Sequence, residues 1–391
     1  MKWLQSYIFG AIKMSHSVEK LEEYFSDLRD PRLERRRLHK LIDIVVISIC
    51  ATLARCEDFV EIAKYGELNK EWLGTFLELP NGIPSHDTFS RVFRRLDPDE
   101  FHKCFMNWVE VLRKEVSKEI VAIDGKSVRR AIDKASEQSG LHIVSAWASQ
   151  NELSLGQVAV EDKSNEIVAI PRLLELLDLK GCIVTIDAIG CYKTIVDAIR
   201  NKKADYVITL KANQKNLHQS AAEFFEENKE GSSVKYHETN DKKHGRIETR
   251  KYYITSDLNQ FRSTEKFKDI KSIGMVEATR EVNGKVSTQV RYFITSLEPN
   301  PKLFAKAVRT HWSIENSLHW VLDVIFGEDY SRSRKDNSAK NLAALRKIAI
   351  NLVKADENSK DSIKVRRLAA AMDNQYLLKL LTQNFAAISH T

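Results

Sequence analysis

Three carboxylates have the residue type and the placement to do chemistry. Asp124 closes the run Val121-Ala122-Ile123, Asp187 closes Val184-Thr185-Ile186, and Glu315 lies in His311-Trp312-Ser313-Ile314-Glu315-Asn316-Ser317-Leu318-His319-Trp320. The first two runs predict short buried strands, each ending at its aspartate; the third segment belongs to a long helix predicted from Lys302 to about Val324. An aspartate after a strand is often only a turn residue, so neither carries the argument alone. Together, two strand-end carboxylates and one from a helix supply the oxygen ligands that hard divalent cations require. Two such cations neutralise a phosphate and activate an oxygen nucleophile, which is what phosphodiester hydrolysis and strand transfer need.

Two alternatives lie on the same helix. Asp323 is eight residues beyond Glu315, about 12 Å along the axis, so only one of them can reach the two aspartates. Glu315 is preferred, because Trp312, Ile314, Leu318 and Trp320 around it predict that it is packed inward against the sheet; Asp323 is expected to pair with Arg332 or Arg334. His311, Glu315 and His319 share a helix face at i, i+4 and i+8. The HExxH order of a zinc helix is missing, so these histidines are expected to hydrogen-bond the carboxylate or a DNA phosphate.

The elements that must position these groups fall into two regions. Residues 1–119 read as helices, with Asp30-Pro31, Asn81-Gly82-Ile83-Pro84 and Asp97-Pro98 as breaks and Ser85 as a cap. From Ile120 to residue 391 the grammar is α/β (α+β): three strands, then helix, strand, helix, strand, the order of a ribonuclease-H-like domain. In that order the first and fourth strands lie side by side, bringing Asp124 and Asp187 together. The gap from Asp124 to Asp187 is 63 residues, and from Asp187 to Glu315 it is 128, too long for a minimal fold. A β-rich insertion over 211–300, before the catalytic helix, accounts for the excess; Asn283-Gly284 predicts a hairpin within it.

Basic residues cluster around this frame. Arg35, Arg36 and Arg37 follow the first break, and Ser85, His86, Arg91, Arg94 and Arg95 mark a turn and helix of the kind that can read DNA. Lys126, Arg129 and Arg130 follow Asp124; Lys211 follows a predicted strand; His244, Arg246 and Arg250 lie on an inserted hairpin, where Glu248 can pair with the arginines. His311, Arg332, Arg334 and Lys335 flank the catalytic helix. Each cluster is a candidate phosphate contact, against the plain reading of a solvated charged face.

Bulk properties agree. The formal net charge of +7 suits a polyanion such as double-stranded DNA. Five cysteines with no CxxC pair argue against zinc ribbons and disulfide frameworks and fit a reducing cytoplasm. The longest apolar run, Leu41 to Ala54, contains Asp43 and is too short to span a bilayer, and no cleavage signal follows Met1–Met14.

Several longer motifs add a resemblance. Asp30-Pro31-Arg32, Gly82-Ile83-Pro84-Ser85-His86-Asp87-Thr88-Phe89, Ile123-Asp124-Gly125-Lys126, Thr185-Ile186-Asp187-Ala188, Leu210-Lys211-Ala212-Asn213-Gln214, His244-Gly245-Arg246-Ile247-Glu248-Thr249-Arg250 and the 311–324 segment occur in order along almost the whole chain. In these the sequence resembles the insertion-sequence transposases that include the H-repeat-associated proteins of Rhs elements, within the DDE superfamily. The resemblance implies Asp124, Asp187 and Glu315 as triad, Mg2+ with Mn2+ as substitute, transposon ends and target DNA as partners, a homodimer in the synaptic complex, and a bacterial, nucleoid-associated setting. One departure stands out. The wider bacterial group often has arginine four before and lysine seven after the glutamate, where this chain has His311 and Leu322. Arg309, Arg332 or Lys335 is left to supply those phosphate contacts. A domesticated DNA-binding protein and a structure-selective nuclease are the competing functions on the same fold.

Overall fold

The computed structural model describes residues 22–114, 116–128, 141–160, 166–243 and 246–382. Arg129, Arg130 and His244 therefore lie outside the described residues.

The helices come first: α1 (Leu41–Leu53), α2 (Phe59–Leu68), a single turn at Lys70–Leu73, α3 (His86–Arg95) and α4 (Pro98–Leu112). α1 is almost wholly buried, as its unbroken apolar run requires. Asp58, Ser85 and Asp97 each accept backbone N–H bonds at a helix start, and Pro98 occupies the first turn of α4, where a missing N–H costs nothing.

A single nine-stranded sheet follows, built from β1 (Ile120–Ser127), β2 (His142–Ala148), β3 (Leu153–Val160), β4 (Ile183–Ile186), β5 (Asp205–Leu210), β6 (Val234–Lys243), β7 (Arg246–Thr255), β8 (Ser272–Val282) and β9 (Lys285–Thr295). Its order is β3-β2-β1-β4-β5-β9-β8-β7-β6. β1, β4 and β5 are parallel neighbours, and β2 and β3 run antiparallel beside β1. This is the expected ribonuclease-H-like core. Between the strands lie α5 (Glu166–Leu176), α6 (Lys193–Asn201) and α7 (Lys215–Asn228).

The segment expected as an insertion joins the core sheet directly. β9 pairs with β5, Val207 opposite Thr295 and Leu210 opposite Tyr292, and β8, β7 and β6 extend outward from it. Asn283 and Gly284 both have positive φ (51° and 75°), the conformation of a tight hairpin turn. α7 and β6, both polar in sequence, are elements that periodicity did not bring out.

Past the sheet, α8 (Pro301–His311) packs across β1, β4 and β7. Gly274 on β8 makes this possible: a Cβ there would stand 2.4 Å from the Phe304 ring, so only glycine lets the helix lie so close. One buried cluster under α8 unites Ile120, Ile183 and Val207 of the core with Tyr252, Val276 and Phe293 of the added strands. The helix then leaves α geometry. Glu315–His319 and Val321–Ile325 are π-wound, against the regular helix expected to Val324. α9 (Ser338–Lys354), α10 (Ile363–Met372) and α11 (Asn374–Thr382) complete the chain. α9 is buried along its length and packs against α1, α3, α4 and β3, so the N-terminal helices and the C-terminal end share one core. Arg367 reinforces this junction, donating to the carbonyls of Thr52 at the end of α1 and Ile325 at the end of the π-wound segment.

Candidate active site

Asp124 and Asp187 are brought together by strand register. Ile123 pairs with Ile186 in the parallel β1–β4 ladder, so the next residue on each strand is an aspartate. β1 does not end at Asp124, as expected, but continues to Ser127 because β2 still pairs with it. Asp187 does leave its strand and accepts a 2.9 Å bond from the Ile189 N–H, capping a short 3₁₀ turn.

Glu315 reaches the same place from the π-wound segment. Ligand atoms of Asp124, Glu315 and His319 all lie within 4.8 Å of one another. Asp187 is outside that closest cluster, but Asp124, Asp187 and Glu315 line one cavity of about 380 Å3 with Lys211, Arg291 and Trp312. The packing argument used for Glu315 needs correction. Its side chain is 51% exposed, and Trp312 and Trp320 are exposed as well; only Ile314 and Leu318 are buried. Glu315 is aimed by the buried half of its helix and opens onto the cavity.

The electrostatics are those of acids crowded together. Burial, followed by the charge of Glu315, raises the Asp124 carboxyl to about 8, with Asp187 adding to the effect. Glu315 is shifted down, first by its interaction with His319. Burial lowers His311 to about 4 despite the pull of Asp187, and its Nδ1 lies 3.1 Å from the Thr185 hydroxyl. His311 is therefore neutral near pH 7 and faces the carboxylates without bringing a positive charge.

Asp323 has a different partner from the one expected. It pairs with Lys126 at 2.6 Å rather than with Arg332 or Arg334. Lys126, only 10% exposed, also meets Glu328 at 2.7 Å and Asp329 at 3.7 Å. Its proposed phosphate contact gives way to this interior role, because its ammonium is enclosed by three carboxylates. Arg250 is corrected for the same reason: it is buried, and bound to Asp241 at 2.7 Å and Glu248 at 2.5 Å. Arg246 stays more open, 4.0 Å from Glu248.

The N-terminal basic residues fall into two sets. Arg35, Arg91 and Arg95 join Arg32 and His39 around a second cavity of about 490 Å3 between the 34–36 turn and α3. Arg37 bonds the backbone carbonyl of Arg32, and Arg94 is held by Asp336 at 2.8 Å. Ser85 is the cap of α3 and His86 begins it in solvent; the backbone of Arg36 lies in the 34–36 turn. Lys211, Arg332 and Lys335 are exposed, and Arg334 is half-buried.

Sequence reasoning missed one residue of the centre. Arg291 arrives on β9 from the far side of the insertion, with its guanidinium 5.8 Å from the Trp312 ring centre, and only the β5–β9 register could have placed it. His319, singled out by its i+4 spacing from Glu315 and expected to bond the carboxylate, does lie beside it, Nδ1 3.6 Å from Glu315 Oε2.

Comparison with known proteins places the chain. The family model described as Transposase DDE domain matches residues 115–352, and the one described as DDE_Tnp_1-associated matches residues 22–109. The chain is 38% identical over 373 residues to "Putative transposase YncI" of Escherichia coli O157:H7, covering 93% of this chain and 95% of that protein. It is 36% identical over 375 residues to "H repeat-associated putative transposase YhhI" of Escherichia coli K12, covering 93% and 98%. This chain belongs to the DDE transposase family, within the group that contains the H-repeat-associated proteins.

Proposed function

We propose that the protein cuts DNA at the ends of an insertion sequence and joins the exposed 3′-hydroxyl to target DNA, with Asp124, Asp187 and Glu315 holding two divalent cations. The convergence of these three carboxylates on one cavity carries this reading. The residues fit hard cations: all three offer oxygen, and their crowding raises Asp124 in a way that a positive ion relieves. Mg2+, or Mn2+ in its place, would supply charge neutralisation at the scissile phosphate and an activated oxygen nucleophile there.

The chain's own groups do the rest. Asp124 and Asp187 come from a rigid parallel pair, which fixes their separation. Lys211 and Arg291 bring positive charge to the cavity wall and can hold the phosphodiester in place. The groove between the 34–36 turn and α3 is the proposed grip on end DNA, with the helices of 1–119 serving recognition and 120–391 catalysis. Two ends must be held at once, so the working form is a homodimer on DNA, in the bacterial cytoplasm and nucleoid. The described helices include none long and apolar enough to cross a membrane.

The test is incubation of the protein with paired element ends, a target plasmid and Mg2+. Joined products are expected. End binding without cleavage would point to a domesticated binder, and cleavage without joining to a structure-selective nuclease.

A further inference from the structure

His319 is a core histidine whose polar edge faces the carboxylates. Its side chain is 4% exposed, and its Nδ1 lies 3.6 Å from Glu315 Oε2 and 3.7 Å from Asp124 Oδ2. Both distances exceed an ordinary hydrogen bond. They are close to the spacing of ligands that share one ion, since two donors about 2.1 Å from a metal stand roughly 3–3.6 Å apart. The other ring nitrogen, Nε2, is buried with no hydrogen-bond partner among the described residues. The polar contacts of His319 are therefore made through Nδ1, toward Asp124 and Glu315.

Glu315 and His319 span one π turn, the stretch where the helix departs from α geometry. Such distortions concentrate where a helix must aim side chains at a site.

We propose that His319 is a metal ligand, so that one of the two ions is held by Asp124 and Glu315 through oxygen and by His319 through Nδ1. This inference rests on the metal-dependent reading above and goes beyond its three carboxylates. A mixed nitrogen and oxygen set has a consequence for metal choice. Imidazole favours transition metals, whereas Mg2+ is best served by oxygen. This ion site therefore prefers Mn2+ to Mg2+, and the preference depends on one side chain.

The experiment uses the full chain with Mn2+ and no DNA. Pulsed electron paramagnetic resonance detects a nitrogen directly bonded to Mn2+, and titration gives the affinity. The unsubstituted protein is expected to show an imidazole nitrogen on Mn2+. His319→Gln should lose that signal and bind Mn2+ about tenfold more weakly, with Mg2+ affinity changed less than threefold. His311→Gln is the control and should keep the signal. Absence of a nitrogen signal in the unsubstituted protein, or its survival in His319→Gln, overturns the assignment. Asp124→Asn separates the two levels. If it abolishes Mn2+ binding while no nitrogen is seen, the carboxylate reading stands and the histidine falls. If Mn2+ binds equally well without the Asp124 carboxylate, the reading beneath fails, and this inference with it.

Discussion

Replacing Asp124 with asparagine should stabilise the metal-free protein while destroying its activity. The folded carboxyl is raised to about 8 by burial and by the charges of Glu315 and Asp187. In the unfolded chain it ionises near 3.9. Between those values the folded state holds a proton that the unfolded state has lost, so stability falls as pH rises across this window and levels off above it. Each pH unit is worth about 1.4 kcal/mol, so at pH 7 the penalty is at most about 4 kcal/mol. The carboxylates share one field, and Asp124 keeps some contact with solvent, so a gain of about 1–3 kcal/mol is the realistic size. Asparagine fills the same space and never ionises. Urea unfolding in EDTA at pH 5, 7 and 8.5 is the assay. Asp124→Asn should unfold at higher urea than the unsubstituted protein, by a margin that widens from pH 5 to pH 8.5. Saturating Mn2+ should reverse the order, since only the unsubstituted protein gains binding energy. A variant that is less stable at every pH, or a margin that does not change with pH, would refute the reasoning.

Other perturbations separate the roles assigned above. Glu315→Gln should eliminate both end cleavage and joining with little change in urea midpoint, because the side chain is half exposed; cleavage within threefold of normal would remove it from the site. Lys126→Met should cost about 3–5 kcal/mol, read by chemical unfolding, because it removes the cation that Asp323 and Glu328 enclose and leaves Glu328 the longer contact with Arg346 at 3.8 Å. Full stability in that variant would show that those carboxylates are served by other groups. Asp323→Asn should lower stability while leaving measurable cleavage, and complete inactivity in a folded variant would return Asp323 to the triad. Replacing Arg35, Arg91 and Arg95 together with alanine should weaken end binding and reduce the slope of log affinity against log salt by about 2–3. An unchanged slope would move the DNA contact elsewhere.

The parts of the molecule legible in sequence are those governed by local rules. Ile120–Ile123 and Ile183–Ile186 are short apolar runs ahead of an aspartate, and both form strands in the expected order. Asn283-Gly284 specifies its own backbone and forms the hairpin turn. What sequence did not show was set by long-range pairing. Nothing local tells that β9 docks on β5, and without that register Arg291 has no address in the cavity. Lys126 looked like a surface cation because its partners Asp323 and Glu328 are about 200 residues away. The π winding at Glu315–His319 was hidden because apolar spacing reads much the same for a helix that gains a residue per turn. Trp312, read as packing against the sheet, stands exposed.

The seamless pairing of β9 with β5 has a mechanical meaning. β9 is 11 residues long, roughly 35 Å when extended, and Arg291 lies six residues from its start, about 20 Å from the Asn283-Gly284 tip. Hydrogen-bonded sheets are stiff along their strands. The β8–β9 hairpin is therefore a rigid arm with one end in solvent and the other forming a wall of the carboxylate cavity. The tip and Arg291 thus lie on one continuous strand, so the direction of the hairpin also fixes where Arg291 stands on the cavity wall.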